Sequence, residues 1–170
     1  MEVSLAGGPT LLLGEPGSPS YPSSLRRVGL FGEVGVGYRS SFFLSPLLAI
    51  GFATLADGVT EMPSGPWGAG GPLAQHLSVA VLSPGVTADV WRFRLRYGLG
   101  LAAVVQRFGF QGNERSSTQL ALANELGLGF LVADAGAFRL DAETRVVAAS
   151  GADVTFVTVD LVTRLDAIRF

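Results

Sequence analysis

The sequence predicts an all-β protein: eight antiparallel strands, closed up-and-down into one barrel that takes in the whole chain, residues 1–170. Three observations predict it. Side chains alternate with period two over segments of about ten residues or more, the mark of strands with two unlike faces. The connections between these segments alternate between long and short. The face opposite the large apolar residues is crowded with Gly, Ala and charge. Composition agrees with one domain and a sizeable core, since 48% of the 170 residues are hydrophobic and 15% are charged, against about 25% charged in an average soluble domain. Disorder is excluded. All 12 basic residues are Arg, and 14 acids bring the formal charge to −2. No basic excess exists to neutralise phosphates, so nucleic acid is not an expected partner. Cysteine is absent and His76 is the single histidine. A disulfide framework, a thiol nucleophile and a Cys/His zinc site are excluded, and no cofactor or metal is expected.

In chain order, the first segment (2–13) alternates weakly, with small residues on its inner side. The second (28–38) sets Val28, Leu30, Val34, Val36 and Tyr38 against Gly29, Phe31, Glu33, Gly35 and Gly37. The third and fourth (45–56 and 73–83) again alternate weakly over small residues. In the fifth (90–102) Trp91, Phe93, Leu95, Tyr97, Leu99 and Leu101 oppose Arg92, Arg94, Arg96, Gly98 and Gly100. The sixth (120–130) repeats this with Leu120, Leu122, Leu126, Leu128 and Phe130 against Ala121, Ala123, Glu125, Gly127 and Gly129, Asn124 being the misfit. The seventh (138–148) places Arg139, Asp141, Glu143 and Arg145 opposite Phe138, Leu140, Ala142, Thr144 and Val146. The eighth (157–167) places Asp160, Arg164 and Asp166 opposite Val159, Leu161 and Leu165. Long connections are expected at 14–23, 57–71 and 107–117, and short turns at 39–41, 83–85 and 134–137, with another short loop at 150–153.

Alternation by itself leaves two solvents open. A soluble barrel turns its apolar face inward; a transmembrane barrel turns it to lipid and keeps polar residues inside. Spanning helices are excluded, because the best apolar stretch, 42–56, is broken by Ser45, Pro46 and Gly51 and is shorter than the roughly 18 residues required. Three features favour the transmembrane barrel. Small residues on the polar faces suit a narrow interior. The long-short rhythm suits external loops and periplasmic turns. The aromatics Tyr38, Phe42, Phe43, Trp91, Phe93, Phe130, Phe138 and Phe170 lie near the short turns or the end of the chain, as an interfacial girdle would.

Eight such strands ending in Ile168-Arg169-Phe170 resemble the small outer-membrane barrels of the OmpA transmembrane-domain and OmpX type, over the whole chain. The resemblance implies a Gram-negative source, a bacterial outer-membrane location, a secretory signal outside this chain and both chain ends in the periplasm. It also implies that Ile168 and Phe170 form the signal read by the barrel assembly machinery. Asp166 departs from that pattern, and a bulge near 166–167 would reconcile the registers. Outer-membrane lipid is the other expected partner; any extracellular loop ligand is left unspecified.

Turned inward, the polar faces bring together six arginines, Arg92, Arg94, Arg96, Arg139, Arg145 and Arg164. Six carboxylates balance them: Glu33, Glu125, Asp141, Glu143, Asp160 and Asp166. Charges in a narrow lumen must pair, and guanidinium forks pair better than ammonium groups. A salt-bridged plug is therefore expected, and with it a structural or surface-interaction role. Three alternatives stand beside it: a small gated pore, a lipid A-modifying outer-membrane enzyme and a soluble lipocalin-like ligand-binding barrel. The enzyme alternative rests on His76-Leu77-Ser78, whose His-x-Ser spacing resembles that of the lipid A deacylases. Both residues are assigned to the inward face of the fourth strand without an acidic partner, so no catalytic residue is assigned. The run Gly32-Glu33-Val34-Gly35-Val36-Gly37 lies within a strand with no helix after it, which discards a nucleotide-binding reading.

Overall fold

The computed structural model describes residues 1–13, 27–39, 43–62, 70–110 and 112–166. These residues form one closed barrel of eight strands: β1 (Glu2–Leu12), β2 (Val28–Gly37), β3 (Leu44–Met62), β4 (Gly71–Val90), β5 (Phe93–Phe110), β6 (Asn113–Ala135), β7 (Phe138–Ser150) and β8 (Val154–Asp166). Each strand pairs antiparallel with its chain neighbour, and β1 closes the ring on β8 from Glu2↔Asp166 to Leu12↔Phe156. Closure leaves the barrel wall without an edge, so its backbone groups are satisfied laterally.

The alternation read from the sequence resolves into an inside and an outside. Leu30 (70% exposed), Ile50, Leu101, Leu126 and Leu161 face outward, while Arg96, Glu125, Arg145 and Asp160 are buried in the lumen. A water-soluble barrel has the reverse arrangement, so the lipocalin-like alternative is overturned. Tyr38, Phe43, Trp91, Phe93, Phe130 and Phe138 are exposed at the turn end, where Phe93 and Phe130 meet edge-on at 5.5 Å. Phe42 and Phe170 lie outside the described residues.

Strand length is uneven. β1, β2, β7 and β8 have 10 to 13 residues, whereas β3 to β6 have 18 to 23. Of the stretches expected to be loops, 57–62 and most of 107–117 are strand, while 14–23 and 63–69 lie outside the described residues. β3 stays paired with β4 as far as Met62↔Gly71, and β5 with β6 as far as Phe110↔Asn113. Among the described residues β3 loses its β2 partner after Ala53, and β6 has no β7 partner before Leu122. The four central strands thus continue beyond the barrel rim as a sheet, and among the described residues no strand pairs with its outer edges, 54–62 and 113–121. At about 3.3 Å per residue each edge is roughly 30 Å long.

The turn expected at 83–85 is also corrected. β4 runs straight through Pro84-Gly85, and the chain reverses at Trp91-Arg92. The β4–β5 ladder skips from Leu82↔Leu101 to Gly85↔Gly98, so Pro84, which has no N–H to give, has no partner on β5 and lies opposite Leu48 on β3.

Candidate functional site

The lumen is built in three storeys. Nearest the short turns, Arg94 donates from Nη1 and Nη2 to Glu2 Oε1, each at 3.1 Å, and from Nη2 to Thr87 Oγ1 at 3.0 Å. Arg164 grips Asp141 through Nε and Nη2, the latter at 2.9 Å to Oδ1, and reaches Asp89 at 3.4 Å and Glu2 at 3.5 Å. In the middle storey Arg96 makes a two-pronged contact with Glu33 at 2.7 and 2.8 Å, and its Nε lies 2.8 Å from Glu125. Arg145, 1% exposed, sits among four carboxylates. It lies 2.7 Å from Glu33, 3.2 Å from Glu125, 2.8 Å from Asp160 and 3.3 Å from Glu143. These bonds run across the barrel, tying β2, β5, β6, β7 and β8 together.

Small residues make the room. A Cβ at Gly127 would stand 2.8 Å from Glu143 Oε1 and 2.9 Å from Arg145 Cγ, so glycine there lets two large charged side chains share one layer. Above them Arg145 stacks over the Phe31 ring at 4.7 Å, and with that contact the lumen changes character. The loop-side storey is apolar: Leu55, Leu77, Val79, Val104, Val154 and Phe156 are buried within the barrel. The expectation of a lumen polar throughout is therefore corrected. Inward positions in the loop-side half carry aliphatic side chains because both faces of those strand segments are apolar.

Several assigned lumen residues lie elsewhere. Arg92 is exposed in the β4–β5 turn, since the true reversal shifts it out of the strand. Arg139 sits at the lower rim, its Nε 3.2 Å from Asp134. Asp134 stands at the end of β6, beside the β6–β7 turn: the Gly136 amide donates to it at 2.9 Å and, with Arg139 beside it, holds its carboxyl below the usual aspartate range. Asp166 is half-buried at the end of β8, outside the buried storeys. The expected balance also fails, because among the described residues four arginines and six carboxylates are buried rather than equal numbers. Sequence reasoning missed Glu2 and Asp89. The parity of β1 places Glu2 inward with Ser4, and Asp89 follows Ser83 and Thr87 along the inner face of β4. Ile168 and Phe170 lie outside the described residues.

His76 and Ser78 do not face the lumen as assigned. The inward face of β4 in this stretch is the odd one, Gln75, Leu77 and Val79, while exposed Ala80 and Leu82 mark the outer face. His76 has a carboxylate neighbour after all: its Nδ1 is 3.9 Å from Asp57 Oδ1 on β3. That distance exceeds a hydrogen bond. Ser78 is buried, and the external cavity of about 600 Å³ that His76 and Asp57 line does not include it.

No family model matches the chain, and neither does any curated protein. Solved structures do. Ail, the attachment invasion locus protein of Yersinia pestis, superposes with a TM-score of 0.61 at 15% identity, over 96% of this chain and 98% of that one. The N-terminal β-barrel domain of Pseudomonas aeruginosa OprF gives 0.58 at 10% identity, over 96% and 97%. Neisserial surface protein A gives 0.57 at 15% identity, over 96% and 95%. The chain has the fold of the small outer-membrane barrels. At these identities the likeness is one of fold. Among the described residues, the lumen of this barrel is filled by salt bridges on the turn side and by aliphatic side chains on the loop side.

Proposed function

We propose that the chain is an integral protein of the bacterial outer membrane, structural or surface-interacting in role and neither a pore nor an enzyme. The observation that carries this reading is the pairing of a filled lumen with a four-stranded sheet held beyond the barrel rim. A conducting barrel keeps a water path lined by charge; here Leu77, Val79, Val104 and Phe156 occupy the loop-side half of that path. Along 54–62 and 113–121 no described strand pairs with the outer edges of this sheet, and such edges are where a strand from another protein would add. The names of two neighbours, an attachment protein and a surface protein, agree with such a role. Outer-membrane lipid surrounds the apolar wall, and the assembly machinery acts on Ile168 and Phe170 during insertion. Against catalysis stands the site itself, with Asp57 beyond hydrogen-bond distance of His76 and Ser78 buried.

Single-cysteine labelling tests the reading, and the chain has no cysteine of its own. Glu114→Cys, at the tip of the sheet, is expected to react with a membrane-impermeant maleimide on intact cells, whereas Gly136→Cys, in the β6–β7 turn, reacts only after the membrane is permeabilised. Equal labelling of both would refute the orientation. In planar bilayers the purified barrel is expected to show no steady unit conductance.

A further inference from the structure

The turn end of the barrel carries positive charge that the lumen does not use. A cleft of about 200 Å³ opens there between the Trp91-Arg92 turn and the β6–β7 turn. The two turns are joined by the Leu131 amide, which donates to the Arg92 carbonyl at 2.8 Å. Five arginines line the cleft, Arg39, Arg92, Arg94, Arg139 and Arg164, against three aspartates, Asp89, Asp134 and Asp141. All three aspartates are already engaged: Asp141 by Arg164, Asp134 by Arg139, and Asp89 by both Arg94 and Arg164. Arg39 and Arg92 are exposed, and among the described residues neither makes an ion pair with a carboxylate, although Arg39 is near enough to Asp134 to help stabilise its charge. Two guanidinium forks therefore line the cleft outside its ion pairs, the arrangement that takes an oxyanion with two or more acceptor oxygens.

The lining also has an apolar part. Trp91, Phe93 and Leu131 contribute it, with the Trp91 and Phe93 rings 6.2 Å apart. Trp91 is 83% exposed and holds φ at +56°, a left-handed conformation for which a tight hairpin ordinarily uses Asn, Asp or Gly. A bulky aromatic is thus held in strained backbone at the lip of a basic cleft, and strain of this kind persists where a side chain is wanted in that place. A soluble anion needs only the arginines. An amphiphile with a phosphate at its polar end matches both parts of the lining.

We propose that this cleft is a phospholipid headgroup site. Arg39 and Arg92 hold the phosphodiester, and the glycerol and first acyl carbons lie along Trp91, Phe93 and Leu131. The proposal rests on the orientation above, which places the short turns at the periplasmic leaflet.

Native mass spectrometry of the detergent-folded barrel tests it, with phosphatidylglycerol, diacylglycerol of the same chains and inorganic phosphate as probes. The comparison is between the parent and Arg39→Ala/Arg92→Ala, both positions being exposed so that folding, read as heat-modifiable gel migration, is retained. Phosphatidylglycerol is expected to stay bound to the parent and to bind roughly tenfold more weakly to the double variant. Arg39→Lys/Arg92→Lys should recover part of the loss, since charge returns without the fork. Diacylglycerol should not be retained, and millimolar phosphate should not displace the lipid. Equal binding by parent and double variant would overturn the site. Retention of diacylglycerol would reduce it to greasy contact, and phosphate binding as tightly as the lipid would make it an aqueous anion site. A wrong orientation would show instead in the cysteine labelling, so the two failures are separable.

Discussion

Arg145 is the residue on which the lumen turns. Its guanidinium meets carboxylates from β2, β6, β7 and β8, and its flat face rests on Phe31. Removing it leaves Glu33, Glu125, Glu143 and Asp160 with Arg96 as the remaining guanidinium of that storey. Breaking a buried ion pair from one side costs about 3–5 kcal/mol, because the stranded charge keeps its desolvation penalty. Arg145→Met is therefore expected to lower the stability of the folded barrel by that order, read as the midpoint shift of urea unfolding in lipid vesicles. Arg145→Lys should be intermediate, since one ammonium cannot serve four carboxylates spread around a fork. A shift within error of zero for Arg145→Met would show that the network contributes nothing to stability. Arg96 and Arg145 are legible in the sequence because their strands alternate cleanly. Glu2 is not, since β1 offers Ala6 and Gly8 on its inner face and no large polar residue after Ser4 to mark the parity.

At the level of strands, the seam between β1 and β8 decides whether the ring closes. Its ladder skips from Gly7↔Leu161 to Thr10↔Thr158, and in that gap a Cβ on Gly8 would come within 1.9 Å of the Val159 carbonyl oxygen. Backbone has to move to admit even a methyl group. Gly8→Ala is expected to cost about 1–3 kcal/mol and to weaken the heat-modifiable folded band. Gly32→Ala, whose Cβ would meet nothing within 4 Å, serves as the control and should stay within about 0.5 kcal/mol of the parent. If the two variants behave alike, the seam is looser than the geometry states. The strands were legible in the sequence in number and order, whereas one turn and several ends of β3 to β6 were not. Pro84-Gly85 carries the usual turn chemistry yet lies mid-strand, where the ladder skips a bond. Trp91-Arg92 carries none and makes the turn. That single displacement hid Asp89 and moved Arg92 into the lumen on paper. The overhanging sheet was hidden for a different reason. Beyond the barrel rim both strand faces are largely exposed, so Asp57, His76, Arg107 and Ser116, cross-strand neighbours in one row, read as loop composition.

For the whole molecule, the governing property is which solvent touches the outer wall. Leu161 lies near the middle of β8, is 59% exposed, and flanks Asp160, whose side chain points the other way into the salt-bridged storey. On a water-soluble barrel a substitution at so exposed a position is nearly neutral, within about 0.5 kcal/mol. On a lipid-facing wall an arginine near the bilayer midplane costs about 2–4 kcal/mol and close to nothing near the interface. Leu161→Arg is therefore expected to destabilise the barrel strongly in vesicles. The same exchange at Tyr38, which is also exposed but belongs to the turn-end girdle, should cost little. The depth dependence separates lipid from any generic dislike of charge, because both positions are equally open in the isolated chain. Thinner bilayers, formed from shorter acyl chains, should shrink the Leu161→Arg penalty by bringing the guanidinium closer to the headgroups. A penalty unchanged by thickness, or equal at the two positions, would place water rather than hydrocarbon against this wall.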